Sequence, residues 1–204
     1  MAHREQIEWC DVWIEGGDTA SLPRALLVGD SIVKSYYPHV HRRIAETFAL
    51  ARLATSKCVS DPSFVRELAL VLGEYEFATI HFNNGLHGRA YSEEEYAAGF
   101  SRTLGFLVEA GKGARIIVGN TTPVWCRDEP QALDAMTDRV RERNRMAESL
   151  AADREIPVND LFAAVIDHPE YFSPDGVHLV EEGQAILGDI VANSIMASTD
   201  HEHA

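Results

Sequence analysis

Arg24-Ala25-Leu26-Leu27-Val28-Gly29-Asp30-Ser31 is the stretch on which the fold turns. Residues 25–28 are apolar without alternation, and Gly29 ends the run. A short, unbroken apolar run reads as a strand buried on both faces, as in the middle of a parallel sheet. Working outward, strand-like runs alternate with helical patterns. Further strands are expected over Phe48 to Ala54, Phe77 to Phe82, Ala114 to Val118 and from Ile156 to Val158. Between them, Phe64, Leu68, Val71 and Leu72 have helical spacing within Pro62 to Tyr75, and Pro62 suits a helix start. Ser92 with Glu95 forms a capping box that opens a helix running to Ala110 and stopping at Gly111. A long charged helix is expected over Leu133 to Glu155, and a last one over Val180 to Met196. This alternation implies an α/β domain: a mainly parallel sheet of about five strands, with helices on both faces. In such sheets ligands bind beyond the carboxyl ends of the strands.

Length and composition bound the possibilities. The chain has 204 residues, enough for one domain with a substantial core and short for two. A single domain over residues 1–198 is expected, with residues 1–22 crossing its surface and tucking in Trp9, Trp13 and Ile14, and with a loose polar tail at 199–204. Lys and Arg total 18 against 32 Asp and Glu, a formal net charge of −14. Such a surface repels phosphate backbones and anionic headgroups, so no nucleic-acid or membrane partner is expected. Cys10, Cys58 and Cys126 are odd in number and far apart, which argues against a disulfide framework or a thiolate metal site. MAHREQIEWC lacks the apolar core of a signal peptide, and a cytoplasmic location is the expectation. An oligomer is left open.

Two motifs carry chemistry. Gly29-Asp30-Ser31 follows the first buried strand, where a serine hydroxyl can stand at the mouth of the sheet beside outward-pointing backbone N–H groups. Alone it is equally ordinary turn chemistry. Asp175-Gly176-Val177-His178 precedes the last helix; an Asp and a His three residues apart can converge, the carboxylate holding one imidazole nitrogen and leaving the other free to take a proton. Both motifs fall on the same edge of a parallel sheet, and Ser, Asp, His is one of the chain orders a triad adopts.

With these blocks the chain resembles the SGNH hydrolases, the GDSL lipase/esterase superfamily, from about Arg24 to Met196. The resemblance implies a flavodoxin-like, three-layer α/β/α fold and an esterase mechanism without a cofactor or metal. It implies Ser31 as nucleophile, His178 as general base and acid, and Asp175 as the group orienting His178. The two middle blocks depart from the family pattern. Where a glycine N–H is usual after the second strand, this chain has Ala54-Thr55-Ser56-Lys57-Cys58, which leaves Ser56 N–H as the donor. Where Gly-x-Asn-Asp is usual after the third, it has Asn83-Asn84-Gly85-Leu86-His87-Gly88. Aligning Gly85 puts His87 in the asparagine's place, with Asn84 as the other candidate. The expected oxyanion donors are thus Ser31, Ser56 and His87 or Asn84.

Around these, Asp30, Trp125 and Arg127 are candidate substrate contacts, Trp125 by stacking on a sugar ring; the alternative for Trp125 is a loop aromatic covering the core. Tyr36 and Tyr37 either shape an acyl pocket or pack. Lys57 either meets a substrate acid group or is solvated. Asp167-His168 reads as a surface pair, Glu142 to Arg145 as a solvated charged face, and His201 with His203 as a frayed tail. The leading expectation is an esterase for small acyl groups, acetyl on a carbohydrate foremost, acting on a small-molecule ester. The alternatives are an impaired SGNH-like glycan-binding module and a metal-dependent hydrolase drawing on His81, His87, His168, His178 and Asp175. A receiver-like signalling domain needs an acidic pair after the first strand and an aspartate after the third; Asp30 stands alone, and the third strand ends in Asn83-Asn84.

Overall fold

A computed structural model describes residues 2–18 and 21–197; His201 and His203 lie outside them. The run 25–28 forms the centre of β2 (Arg24–Gly29), every one of its side chains fully buried. Parallel neighbours flank it: β3 (Ala49–Thr55) on one side and β4 (Thr79–Phe82) on the other. Beyond β4 come β5 (Arg115–Gly119) and β6 (Val158–Asn159), both parallel. Because the chain leaves β2 for β3 on one side and later returns to β4 on the other, the topological switch lies at the carboxyl end of β2, where Ser31 follows.

The helices cover both faces. α1 (Ser31–Ile44) and α5 (Glu181–Met196) pack together on one face over Leu27, Leu50 and Ile117. α2 (Pro62–Glu74), α3 (Glu93–Ala110) and α4 (Met136–Ala152) cover the other, over Leu26, Leu53, Ile80 and Val118. The architecture is the three-layer α/β/α arrangement expected. The capping box at α3 is present: Glu95 N–H donates to Ser92 Oγ over 3.2 Å, and Ser92 N–H to Glu95 Oε2 over 2.8 Å. Among the described residues no helix is long and apolar enough to cross a membrane.

Two expectations need correction. The expected parallel strands are β2 to β6, but the first segment does not merely cross the surface: it adds a sixth strand among the described residues, β1 (Cys10–Ile14), antiparallel to β3. An edge strand offers a row of unpaired backbone groups, and residues 10–14 satisfy them. Asp11 adds ion pairs to Arg52 at 2.6 Å and to Lys34 at 2.7 Å. Trp13 consequently faces outward, 58 % exposed, rather than tucking in. The charged helix also starts later than expected. Leu133 is held in a bridge to Trp125, and Asp134 Oδ1 accepts from Met136 N–H at 2.8 Å, so the chain enters α4 only at Met136.

Candidate active site

Asp30 starts α1 as its N-cap, its Oδ1 accepting from Ile32 N–H at 2.9 Å. That cap sets Ser31 as the first helical residue, half-buried, where the opening N–H groups of a helix have no partner within it. The loop before α5 brings the other two groups. Asp175 Oδ1 accepts from Ser173 Oγ at 2.8 Å, Val177 N–H at 2.8 Å and His178 N–H at 2.9 Å, which winds the loop tightly around the carboxylate. Its Oδ2 accepts from His178 Nδ1–H at 2.6 Å. With Nδ1 carrying the proton, Nε2 is the acceptor for the Ser31 hydroxyl, 2.9 Å away. Residues 147 positions apart thus meet at one rim of the sheet.

Gly176 fixes that loop in place. Its φ of +74° suits glycine, and a Cβ there would lie 2.0 Å from Trp125 O. In return Trp125 N–H donates to Gly176 O over 2.8 Å. Burial raises the Asp175 pKa, but the hydrogen bonds from the His178 ring, the His178 and Val177 amides and Ser173 outweigh it and hold the carboxyl well below the usual carboxylate range. It is therefore ionised wherever His178 needs a partner.

Ser31 and His178 open on a cleft of about 670 Å³ whose other walls include Lys57, Leu86, His87 and Val177. The far wall is the loop 83–91, and it is tied from behind. Arg143 on α4 is fully buried; it donates to Gly85 O and His87 O at 2.8 Å and to Gly88 O at 3.1 Å, pairs with Glu93 at 3.3 Å and lies over the Tyr96 ring. Arg139, one turn earlier, donates to Arg89 O and Tyr91 O, both at 2.7 Å. Asn144 brackets the next loop, donating to Thr121 O and accepting from Thr121 N–H. The expected solvated face at Glu142 to Arg145 is thus only half right: Arg145 pairs in solvent with Glu142, while Arg143 is a buried clamp. The signal was present, since Met136, Val140, Ala147 and Ala151 form an apolar stripe at helical spacing and Arg143 falls within it.

The expected oxyanion donors fare unequally. Asn84 lies behind the wall: its Oδ1 accepts from Val59 N–H and its Nδ2 donates to Lys57 O, so its amide staples two loops and does not reach the cleft. Ser56 lines the cleft, but its N–H donates to Trp9 O at 3.1 Å and its Oγ accepts from Trp9 N–H at 2.9 Å. His87 lines the cleft with Nδ1 on Glu5 Oε2 at 2.9 Å. His3, Arg4, Glu5, Gln6 and Glu8 of the N-terminal segment, which the sequence did not mark as part of a site, also line it.

The expected substrate contacts at Asp30, Trp125 and Arg127 are not in the cleft. Asp30 is fully buried beneath Ser31, where burial raises its pKa. Trp125 packs on Phe172 with ring centroids 6.2 Å apart, in the core cluster beneath α1 and α5. Arg127 is exposed outside the cleft. Tyr36 and Tyr37 are core residues, Tyr37 donating to Leu50 O at 2.9 Å. Lys57, one alternative for which was solvation, is buried and pairs with Glu8 at 2.5 Å. His168 pairs with Glu170 and stacks on Tyr171 at the surface. His81 is fully buried, with Asn159 Nδ2 3.3 Å from its Nε2, and burial pushes its pKa down to about 4. Among the described residues no three His, Cys, Asp or Glu side chains gather as a metal site.

Comparison by sequence finds no matching family model and no matching curated protein. Comparison of the folds finds solved structures of similar shape. A carbohydrate acetylesterase from Sinorhizobium meliloti superposes with a TM-score of 0.69 at 15 % identity, covering 85 % of this chain and 99 % of its own. An aryl esterase from M. smegmatis gives 0.71 at 15 %, covering 86 % and 99 %. An acetylxylan esterase from Geobacillus stearothermophilus gives 0.66 at 16 %, covering 85 % and 94 %. Likeness at this level of identity speaks for architecture: the chain shares the three-layer α/β/α fold of these esterases.

Proposed function

We propose that this protein is an SGNH-type serine esterase that removes small acyl groups, acetyl foremost, from a carbohydrate or a similar small ester. One observation carries the reading: Ser31 Oγ, His178 Nε2 and Asp175 Oδ2 form a relay with 2.9 and 2.6 Å links that opens on a cleft of about 670 Å³, large enough for a sugar ring. The fold likeness supports it, since one of the similar structures is named a carbohydrate acetylesterase and another an acetylxylan esterase.

In the proposed reaction Ser31 Oγ attacks the ester carbonyl while His178 Nε2 takes its proton. Ser31 N–H, at the head of α1, receives the charge that develops on the carbonyl oxygen. His178 then protonates the departing alcohol and leaves an acyl group on Ser31. A water that gives its proton to His178 attacks that acyl group, and the acid departs with Ser31 restored. Asp175, ionised throughout, holds the imidazole ring and stabilises its charged form. The test is turnover of 4-nitrophenyl acetate: Ser31→Ala should lower kcat by about 10⁴ or more. Unchanged turnover removes Ser31 from the mechanism.

A second reading is a non-catalytic glycan-binding module. It is favoured by the occupation of Ser56 N–H and His87 by the N-terminal segment. Covalent labelling by a fluorophosphonate separates the two, because only a His-activated serine reacts.

A further inference from the structure

The N-terminal segment runs along one wall of the cleft through His3 to Gln6 and Glu8, and its acceptors sit on the wall's donors. The Glu5 carboxylate is held at both oxygens, Oε2 by His87 Nδ1–H at 2.9 Å and Oε1 by Gly88 N–H at 3.1 Å. Glu8 Oε2 takes the Lys57 ammonium at 2.5 Å. The chain has three lysines, and in this one alone the side chain is only 9 % exposed; Lys34 and Lys112 are 51 % and 61 % exposed. In a protein of net charge −14, this wall gathers cationic and N–H donors and fills them with carboxylates.

The donors are aimed from behind. In a trans peptide the C=O and N–H point in opposite directions. The 87–88 peptide gives its carbonyl to buried Arg143, so its N–H, that of Gly88, is turned toward the cleft. Gly88 itself has φ +73°, and a Cβ there would lie 2.4 Å from Cys58 Cβ. A carboxylate held by a preset peptide N–H and an imidazole, with an ammonium nearby, is charge-assisted recognition already built. Its present occupants are loosely held: the Glu5 and Glu8 side chains are 37 % and 30 % exposed, and water competes for such pairs.

We propose that Lys57, His87 and Gly88 N–H form a carboxylate subsite beside Ser31, and that Glu5 and Glu8 fill it in the substrate-free protein. Its ligand is an ester whose alcohol part carries an acid group, such as an acylated sugar acid. The subsite's place in catalysis rests on the esterase reading; its binding chemistry does not.

The test therefore measures binding. Benzoate and its neutral counterpart benzamide are titrated calorimetrically into the full-length protein and into Glu5→Ala/Glu8→Ala. The double variant should bind benzoate at least tenfold more tightly than the parent, with no such gain for benzamide. Adding Lys57→Met to the double variant should remove the gain. Hydrogen exchange on the unaltered protein gives a second readout: benzoate, and not benzamide, should speed exchange of the amides in residues 3–9. Equal gains for benzamide and benzoate, or none for either, overturn the subsite. Fluorophosphonate labelling of Ser31 in the same samples reports separately on the esterase reading, so each can fail alone.

Discussion

The two rims of the cleft are built by opposite means. On the Ser31 rim, three groups from two short segments meet through local turns, and the His178 side chain stays 47 % exposed. On the 83–91 rim the backbone is tied: Arg143, Arg139 and Tyr96 hold the loop from behind, while Glu5 takes His87 and Gly88 N–H from in front and Trp9 meets the His87 ring edge-on. The difference fits the work proposed for each. A group that passes a proton between serine, leaving group and water must be reached by all three. Groups that hold charge act by being preset, so that no reorganisation is needed when charge arrives.

The sharpest way to break this comparison is to remove the exposed rim. His178→Ala should lower kcat for 4-nitrophenyl acetate by about 10⁴ or more, and pairing it with Ser31→Ala should cost little further because the two act as a unit. A tenfold loss or less would mean that the hydroxyl works without the imidazole.

Loosening the tied rim comes next. Arg143→Lys keeps the charge but not the fork that reaches three carbonyls, and a loop displaced by an ångström should lower kcat roughly 10- to 100-fold. Arg143→Met should in addition cost about 3 kcal/mol or more of stability, as breaking a buried ion pair does. Full kcat in the lysine variant would show that the rim needs no clamp.

His81 separates effects on the fold from effects on either rim. Its folded pKa of about 4 lies below the ordinary 6.5, so the unfolded chain takes the proton more readily. The neutral ring costs nothing above pH 6.5, and stability falls as the pH drops from there toward 4. Denaturant titrations between pH 7 and 4 should show the parent losing about 3 kcal/mol more than His81→Gln. Parallel losses in the two proteins would contradict a neutral buried ring. The smallest effect belongs to Trp125→Phe. Since Trp125 packs on Phe172, KM for an acetylated sugar should hold while stability drops by about 1 kcal/mol. A raised KM would restore Trp125 to the substrate.

What the sequence disclosed follows the same division. β2 and the Ser31 rim were legible because they are local: an unbroken apolar run, a Gly-Asp-Ser turn and an Asp and His three residues apart each carry their geometry within a few positions. The tied rim was not, because its contacts are remote. Glu5 and His87 lie 82 positions apart, and no spacing links them. Arg143 sits in a run of charges that looks solvated unless the apolar stripe along α4 is followed through it. Trp125 follows a strand on the site edge, as a stacking residue would, yet its ring packs on Phe172, 47 positions away, in the core under α1 and α5. β1 was missed because Cys10–Ile14 is a five-residue run standing beside Gly16-Gly17-Asp18, with mostly exposed side chains; an edge strand is recruited by the backbone groups that β3 leaves unpaired.

The meeting of Ser31 with His178 is tested most directly by mass spectrometry of the protein after brief exposure to a fluorophosphonate, in the parent and in His178→Ala. One adduct per chain, located on Ser31 and nearly abolished in the variant, is the expected result. An unlabelled Ser31, or one labelled equally fast without the imidazole, would contradict it.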